Sequence, residues 1–230
     1  RILDLMNRTY TIEHYLGIIE KARKIIPGVS FSTDIISGFP TESYEDHLAT
    51  LEVMREVRYD GAYMFKYSPR EGTKAYRMND DVDEVTKSKR LTEIINEQQK
   101  ISYEINQTLI GTDTVILVEG FSKKSNNFLA GRTDTNKVVI IPNQDGINKS
   151  DYVNVRINKA TSGTLFADII EKIDLSKIKN NKISQIQVSK HFYEADFEGG
   201  ILTIGNQLNK MEYNLESYLL KFRSAKIILE

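Results

Sequence analysis

The chain has no cysteine and only three histidines in 230 residues. The first absence excludes disulfides, thiolate zinc sites and any iron–sulfur cluster held by these residues alone. None of His14, His47 and His191 pairs with another at metal-ligand spacing, so each reads as a surface or helix residue and no metal site is expected. No run of about 18 apolar residues occurs, which excludes a membrane-spanning helix, and no secretory leader pattern opens the chain. An excess of one charge sign is also missing. With a formal net charge of −1, any affinity for a polyanion must come from a local basic patch. The composition, 40% apolar and 27% charged, is ordinary for a globular protein, and the length suits one large domain or two modest ones. The chain begins at Arg1, directly on a helical pattern, and reads as a piece of a longer, cytoplasmic, monomeric protein.

The strongest local signal lies between Ser30 and Thr73. An apolar strand over 29–36 is followed by the turn Ser37-Gly38-Phe39-Pro40, a helix over about 43–58, a second strand over 62–67 and the turn Ser68-Pro69-Arg70-Glu71-Gly72-Thr73. Two apolar strands joined through a helix, with no hairpin signal between them, make a parallel βαβ unit with a right-handed crossover. Both turns then leave the same sheet edge. Ligands bind at the carboxyl ends of strands in such sheets, so Gly38-Phe39-Pro40-Thr41-Glu42 and Tyr67-Ser68-Pro69-Arg70 become neighbours lining one candidate pocket. Glu42 has two open readings, a first-turn carboxylate favoured by the helix dipole or a ligand contact. Asp34, in the middle of an apolar strand, must be hydrogen-bonded or face a polar barrel interior.

Before this unit, Thr11 caps a helix whose positions Ile12, Tyr15, Leu16, Ile19, Ala22 and Ile26 follow the 3.6-residue period until Pro27-Gly28 stops it. Arg8, in the non-periodic loop before the cap, is either a solvated charge or an anion contact. The crossover helix is expected to bury Leu48, Leu51, Met54 and Tyr44. A third helix is expected over 82–109, started by a capping-box-like Asp81 and Glu84, with Leu91, Ile94, Ile95, Ile101, Ile105 and Leu109 as its stripe and Gly111 as its stop.

From Thr112 the period changes to two. Ile116 and Val118 oppose Val115 and Leu117, and β-rich runs follow at 128–131, 137–141, 152–157 and 164–170. Five short strands in about 60 residues suggest a small closed or half-closed β-barrel. Its first connections carry Lys123, Lys124, Arg132 and Lys137 against Asp134, with Asn136 among them. That is either a phosphate-binding patch or a solvated loop. Beyond Glu171, the lysine-rich stretch 177–182 reads as a linker. A hairpin through Glu198-Gly199-Gly200, an amphipathic helix capped at Asn206 and a strand over 225–229 then make an α+β tail without identifiable chemistry.

Four ordered motifs carry a resemblance: residues 6–11 (Met-Asn-Arg-Thr-Tyr-Thr), 33–42 (Thr-Asp-Ile-Ile-Ser-Gly-Phe-Pro-Thr-Glu), 65–73 (Phe-Lys-Tyr-Ser-Pro-Arg-Glu-Gly-Thr) and 131–137 (Gly-Arg-Thr-Asp-Thr-Asn-Lys). Over roughly 1–170 the chain resembles the radical-SAM methylthiotransferases. Within that family it is most similar to the bacterial tRNA-modifying branch, which adds a methylthio group at carbon 2 of N6-isopentenyladenosine beside the anticodon. The resemblance implies three parts. Residues 1–110 are the C-terminal part of a radical-SAM partial α/β barrel, 111–171 are an RNA-gripping TRAM β-barrel, and 172–230 are an unassigned α+β extension that departs from the family. It implies S-adenosylmethionine and two four-iron four-sulfur clusters in the complete enzyme, whose cluster cysteines have no counterpart here, so this chain is expected to be inactive alone. By resemblance Gly38, Phe39, Pro40, Glu42, Tyr67 and Ser68 contact S-adenosylmethionine. Lys123, Lys124, Arg132, Asn136 and Lys137, with Arg70 and Arg8 as weaker candidates, contact the tRNA anticodon stem–loop. A relative acting on a ribosomal-protein aspartate, and a non-catalytic RNA-binding module, are the alternatives.

Overall fold

The computed structural model describes residues 1–174 and 224–226. These fall into two compact units that divide within the third long helix, between Asn106 and Gln107.

The first unit starts with a single helical turn, α1 (Ile2–Leu5), and the helix α2 (Ile12–Ile25), whose cap Thr11 accepts from the His14 backbone N–H as its sequence predicts. Strand β1 (Ser30–Ser37), helix α3 (Tyr44–Val57) and strand β2 (Gly61–Lys66) form the expected βαβ unit, with β1 and β2 parallel in register from Ser32 opposite Gly61 to Ser37 opposite Lys66. A short 3₁₀ turn (Ala75–Arg77) leads to α4 (Glu84–Gln107). A strand over Ser224–Lys226, called β8 below after the five strands of the second unit, lies parallel to the other edge of β1. The linker, hairpin and helix expected over 177–222 lie outside the described residues.

Phe31 and Ile35 point from β1 into the helical layer, where Tyr15 and Ile19 of α2, Leu51, Met54 and Val57 of α3, and Ile94 and Ile101 of α4 are also buried. The opposite sheet face, with Ile36, Tyr63 and Phe65, is exposed. Asp34 shares this exposed face, so its carboxylate carries no burial cost.

Two helix stripes also differ from their periodicity. In α3, Tyr44 and Leu48 are exposed, and His47 takes the buried position instead, with Nε2 2.6 Å from Glu93. In α4 the buried positions are polar in the majority: Lys87, Arg90, Gln98, Ser102 and Asn106 accompany Ile94 and Ile101. Gln98 donates to the Tyr59 carbonyl at 2.8 Å and Ser102 to the Asp60 carbonyl at 3.1 Å, so this face holds the backbone that enters β2. The cap of α4 is Asp83, which accepts from the Val85 and Thr86 N–H groups, whereas Asp81 accepts from Thr41 N.

The second unit contains all five expected strands: β3 (Asp113–Ser122), β4 (Ser125–Thr133), β5 (Val138–Pro142), β6 (Tyr152–Ala160) and β7 (Leu165–Lys172). They close into a barrel in the order β3-β4-β5-β7-β6, with β6 returning to β3. All neighbours are antiparallel except β5 and β7, which pair in parallel at Val139–Leu165 and Ile140–Phe166. Alternation places Ile116, Val118, Val139, Ile141, Val153, Val155, Ile157 and Leu165 inside, and Ile147 from the β5–β6 loop joins them. Gly131 lets β4 approach β3: a Cβ there would stand 2.7 Å from the Leu117 carbonyl oxygen.

Candidate cofactor turn and nucleic-acid interface

The turn after β1 is built by its own side chains. Gly38 has φ +74°, and a Cβ on it would lie 2.3 Å from Cγ of Lys87, so both backbone angle and space demand glycine. Its N–H donates to Glu42 Oε2 at 3.0 Å, and the Glu42 N–H donates back to the Phe39 carbonyl at 2.9 Å. Arg90 donates to Glu42 Oε1 at 2.8 Å and to the Glu42 carbonyl at 2.9 Å. Glu42 is 8% exposed. Its carboxylate therefore braces the turn, tying the Gly38 backbone to Arg90.

The two strand ends do meet. Tyr67 N–H donates to the Ser37 carbonyl at 2.8 Å, and the rings of Phe39 and Tyr67 pack edge to face at 5.2 Å. Lys87, only 2% exposed, is held by Asp80 at 2.6 Å and Glu84 at 3.4 Å, with Nζ 5.6 Å from the centre of the Tyr67 ring. Burial alone would lower the Lys87 pKa, but the bonds and charges of Asp80 and Glu84 outweigh it and hold the ammonium above its ordinary value. Tyr67 is pushed up by burial and by Asp80. The Ser37 and Tyr67 hydroxyls are buried at this sheet edge without a hydrogen-bond partner. Two orphaned hydroxyls beside a glycine turn fit a ligand with polar edges such as adenine and ribose. Pro40 is buried with Phe39, while Ser68 and Arg70 are exposed on the following turn. Arg8 is half-buried ahead of α2.

On the barrel, the basic residues are split. Lys123 and Lys124 sit exposed at the tip of the β3–β4 hairpin, whereas Arg132, Asn136 and Lys137 belong to the β4–β5 turn. Most of β4, roughly 26 Å of strand from Lys124 to Arg132, lies between the two groups. The single patch expected from sequence is thus two sites at opposite strand ends. Arg132 donates from Nε to Glu119 at 3.2 and 3.3 Å and from NH1 to the Asn136 carbonyl and side-chain oxygens at 3.1 and 3.0 Å. It knits a turn in which Asn136 takes φ +63°. Lys123 and Lys124 are therefore the more exposed cations, and Arg132 is partly neutralised. Sequence reasoning missed Lys87 and Arg90; a lysine and an arginine in step with Ile94 and Ile101 along α4 were the available signal. Among the described residues no cluster of three or more His, Asp or Glu could hold a metal, and no helix is long and apolar enough to cross a membrane.

Residues 107–170 match the TRAM domain family. The tRNA-2-methylthio-N(6)-dimethylallyladenosine synthase of Chloroherpeton thalassium is 48% identical over 171 residues, covering 74% of this chain and 38% of that protein. The synthases of the same name from Azobacteroides pseudotrichonymphae and Bacteroides thetaiotaomicron are 49% identical over 169 residues and 48% over 167, covering 73% and 72% of this chain and 37% and 36% of theirs. The chain thus carries a TRAM domain, resembles these methylthio synthases as its motifs predict, and spans a little over a third of the length of the curated relatives it matches.

Proposed function

From this similarity we infer that the chain is the C-terminal part of a tRNA methylthiotransferase: the end of a radical-SAM partial barrel (1–110), a TRAM barrel (111–171) and an extension (172–230). The observation that carries the reading is 48% identity over 171 residues, 74% of this chain, a match too long to be confined to the barrel. The relatives reported above are all named as tRNA enzymes, so a protein-modifying role is not favoured. Lacking cysteine, the chain cannot hold an iron–sulfur cluster on thiolates by itself. The radical chemistry of the complete enzyme belongs to S-adenosylmethionine and the clusters. The part left to these residues is to shape and to grip. The Gly38–Phe39–Pro40 backbone, the hydroxyls of Ser37 and Tyr67, and Ser68 would hold the adenosine end of the cofactor, with Glu42 and Arg90 keeping the turn fixed behind them. Lys123 and Lys124, and more weakly Arg132, Asn136, Lys137, Arg70 and Arg8, would engage the anticodon stem–loop.

Two measurements test this. Fused to the cluster-bearing part of the Chloroherpeton thalassium synthase, the chain should restore the 2-methylthio nucleoside to tRNA in a strain lacking that modification; a folded fusion yielding none would refute the catalytic reading. The full chain should also bind a labelled anticodon stem–loop, with each of Lys123→Ala and Lys124→Ala lowering the slope of log affinity against log salt by on the order of 0.7 to 0.9. A slope untouched by both would place the RNA elsewhere.

A further inference from the structure

At the barrel end that carries the β3–β4 hairpin tip there is a cleft of about 370 Å³. Asn143 fixes its far wall to the hairpin, its N–H donating to the Asn127 carbonyl at 2.9 Å and its side-chain amide to the Asn126 carbonyl at 3.1 Å. Leu129 and Ile147, both part of the buried core, lie at its base, and Phe121 stands on its rim 62% exposed. Gly120, Gln144, Asp145, Gly146, Asn148 and Lys149 complete the lining.

A lone exposed phenylalanine needs no explanation, but this one borders a concavity with an apolar base and an amide rim. The volume lies at the low end of small-ligand sites, suited to one planar ring system rather than a chain. The charges sort in the same sense. Asp145 repels phosphate from the cleft itself yet can accept from an exocyclic amino group. Lys123 and Lys124 follow Phe121 at the hairpin tip, and Lys149 lines the other wall, where a backbone entering and leaving the cleft would run. Aromatic stacking with hydrogen bonds to base edges is how proteins read unpaired RNA, because a duplex keeps its bases stacked and its edges paired.

We propose that this cleft holds one unpaired RNA base stacked on Phe121, with the flanking phosphates on Lys123 and Lys124. The proposal rests on the RNA-binding reading above and adds to it a preference for single-stranded over paired RNA, located at the hairpin end of the barrel rather than at the 133–137 turn.

The test uses the full chain, a fluorescein-labelled anticodon stem–loop and a blunt RNA duplex of equal nucleotide count, compared by anisotropy. Phe121→Ala should weaken stem–loop binding roughly 5- to 150-fold, leave duplex binding and the salt slope unchanged, and keep the thermal midpoint, since the side chain is exposed. Phe121→Tyr, which preserves the ring, should bind as the wild type does. A 2-aminopurine placed in the loop should lose fluorescence on binding the wild type and not on binding Phe121→Ala. If Phe121→Ala binds both RNAs as the wild type does, or weakens both equally, the base site is overturned while a persisting effect of Lys123→Ala on salt dependence leaves the RNA-binding reading intact. If the wild type binds neither RNA, both readings fall together.

Discussion

Replacing Arg90 by methionine removes the only charge that the described structure sets against the buried Glu42 carboxylate. The two groups are 2.8 Å apart, with side-chain exposures of 10% and 5%, and the other carboxylate oxygen is tied to the Gly38 N–H. Removing one partner of a buried pair strands the other charge, which costs about 3–5 kcal/mol. With a urea dependence of about 2 kcal/mol per molar, the unfolding midpoint should fall by roughly 1.5–2.5 M. Far-UV circular dichroism at the helical band is the appropriate probe, because α1 to α4 hold nearly all the described helix and belong to the unit that contains the pair. Glu42→Gln keeps an oxygen for Gly38 and removes the charge, so the double variant Glu42→Gln/Arg90→Met should be more stable than Arg90→Met alone, with a coupling of about 2 kcal/mol. An Arg90→Met midpoint within 0.5 M of wild type (about 1 kcal/mol), or strictly additive costs in the double variant, would refute the view that this pair holds the turn.

Gly38→Ala should destabilise the same unit by more than the about 1–2 kcal/mol of a left-handed alanine, because its Cβ collides with Lys87. Adding Lys87→Ala should not restore wild-type stability, since Asp80 then loses its cation; a melt equal to wild type for Gly38→Ala would contradict the packing. Asp46 is partly buried, a condition that raises its pKa, but the Ser43 N–H and hydroxyl and the Arg1 guanidinium outweigh burial and hold it below the ordinary aspartate value. Its contribution is therefore fully present above about pH 3.9 and lost as pH falls through the lowered folded value. Stability measured from pH 5 downward should fall more steeply for wild type than for Asp46→Asn, which retains the cap oxygen; parallel curves would show that the charge is idle. In the barrel, Gly131→Ala should cost about 1–3 kcal/mol by forcing β4 away from the Leu117 carbonyl, and an unchanged thermal midpoint would contradict that close approach.

Much of this molecule is determined by local chemistry and is legible residue by residue. Thr11 and Ser43 are caps because their side-chain oxygens reach N–H groups three residues on. The parallel pairing of β1 and β2 follows from two apolar runs separated by a helix-length segment. Five alternating runs with turn residues between them imply the barrel, and its motifs identify its relatives. Tertiary structure alone decided which polar side chains the fold would bury. Glu42 and Arg90 look like solvent-facing charges in sequence, because local pattern cannot supply the partner 48 residues away that makes burial tolerable. The sequence likewise presents Lys123 to Lys137 as one basic stretch, but an extended strand carries its two ends apart, so neighbours along the chain stand at opposite ends of β4. The parallel β5–β7 contact that closes the barrel, and the cleft that the β5–β6 loop makes with the hairpin, arise only when strands distant in sequence pair. Closure is a property of the whole sheet and is written in no single strand.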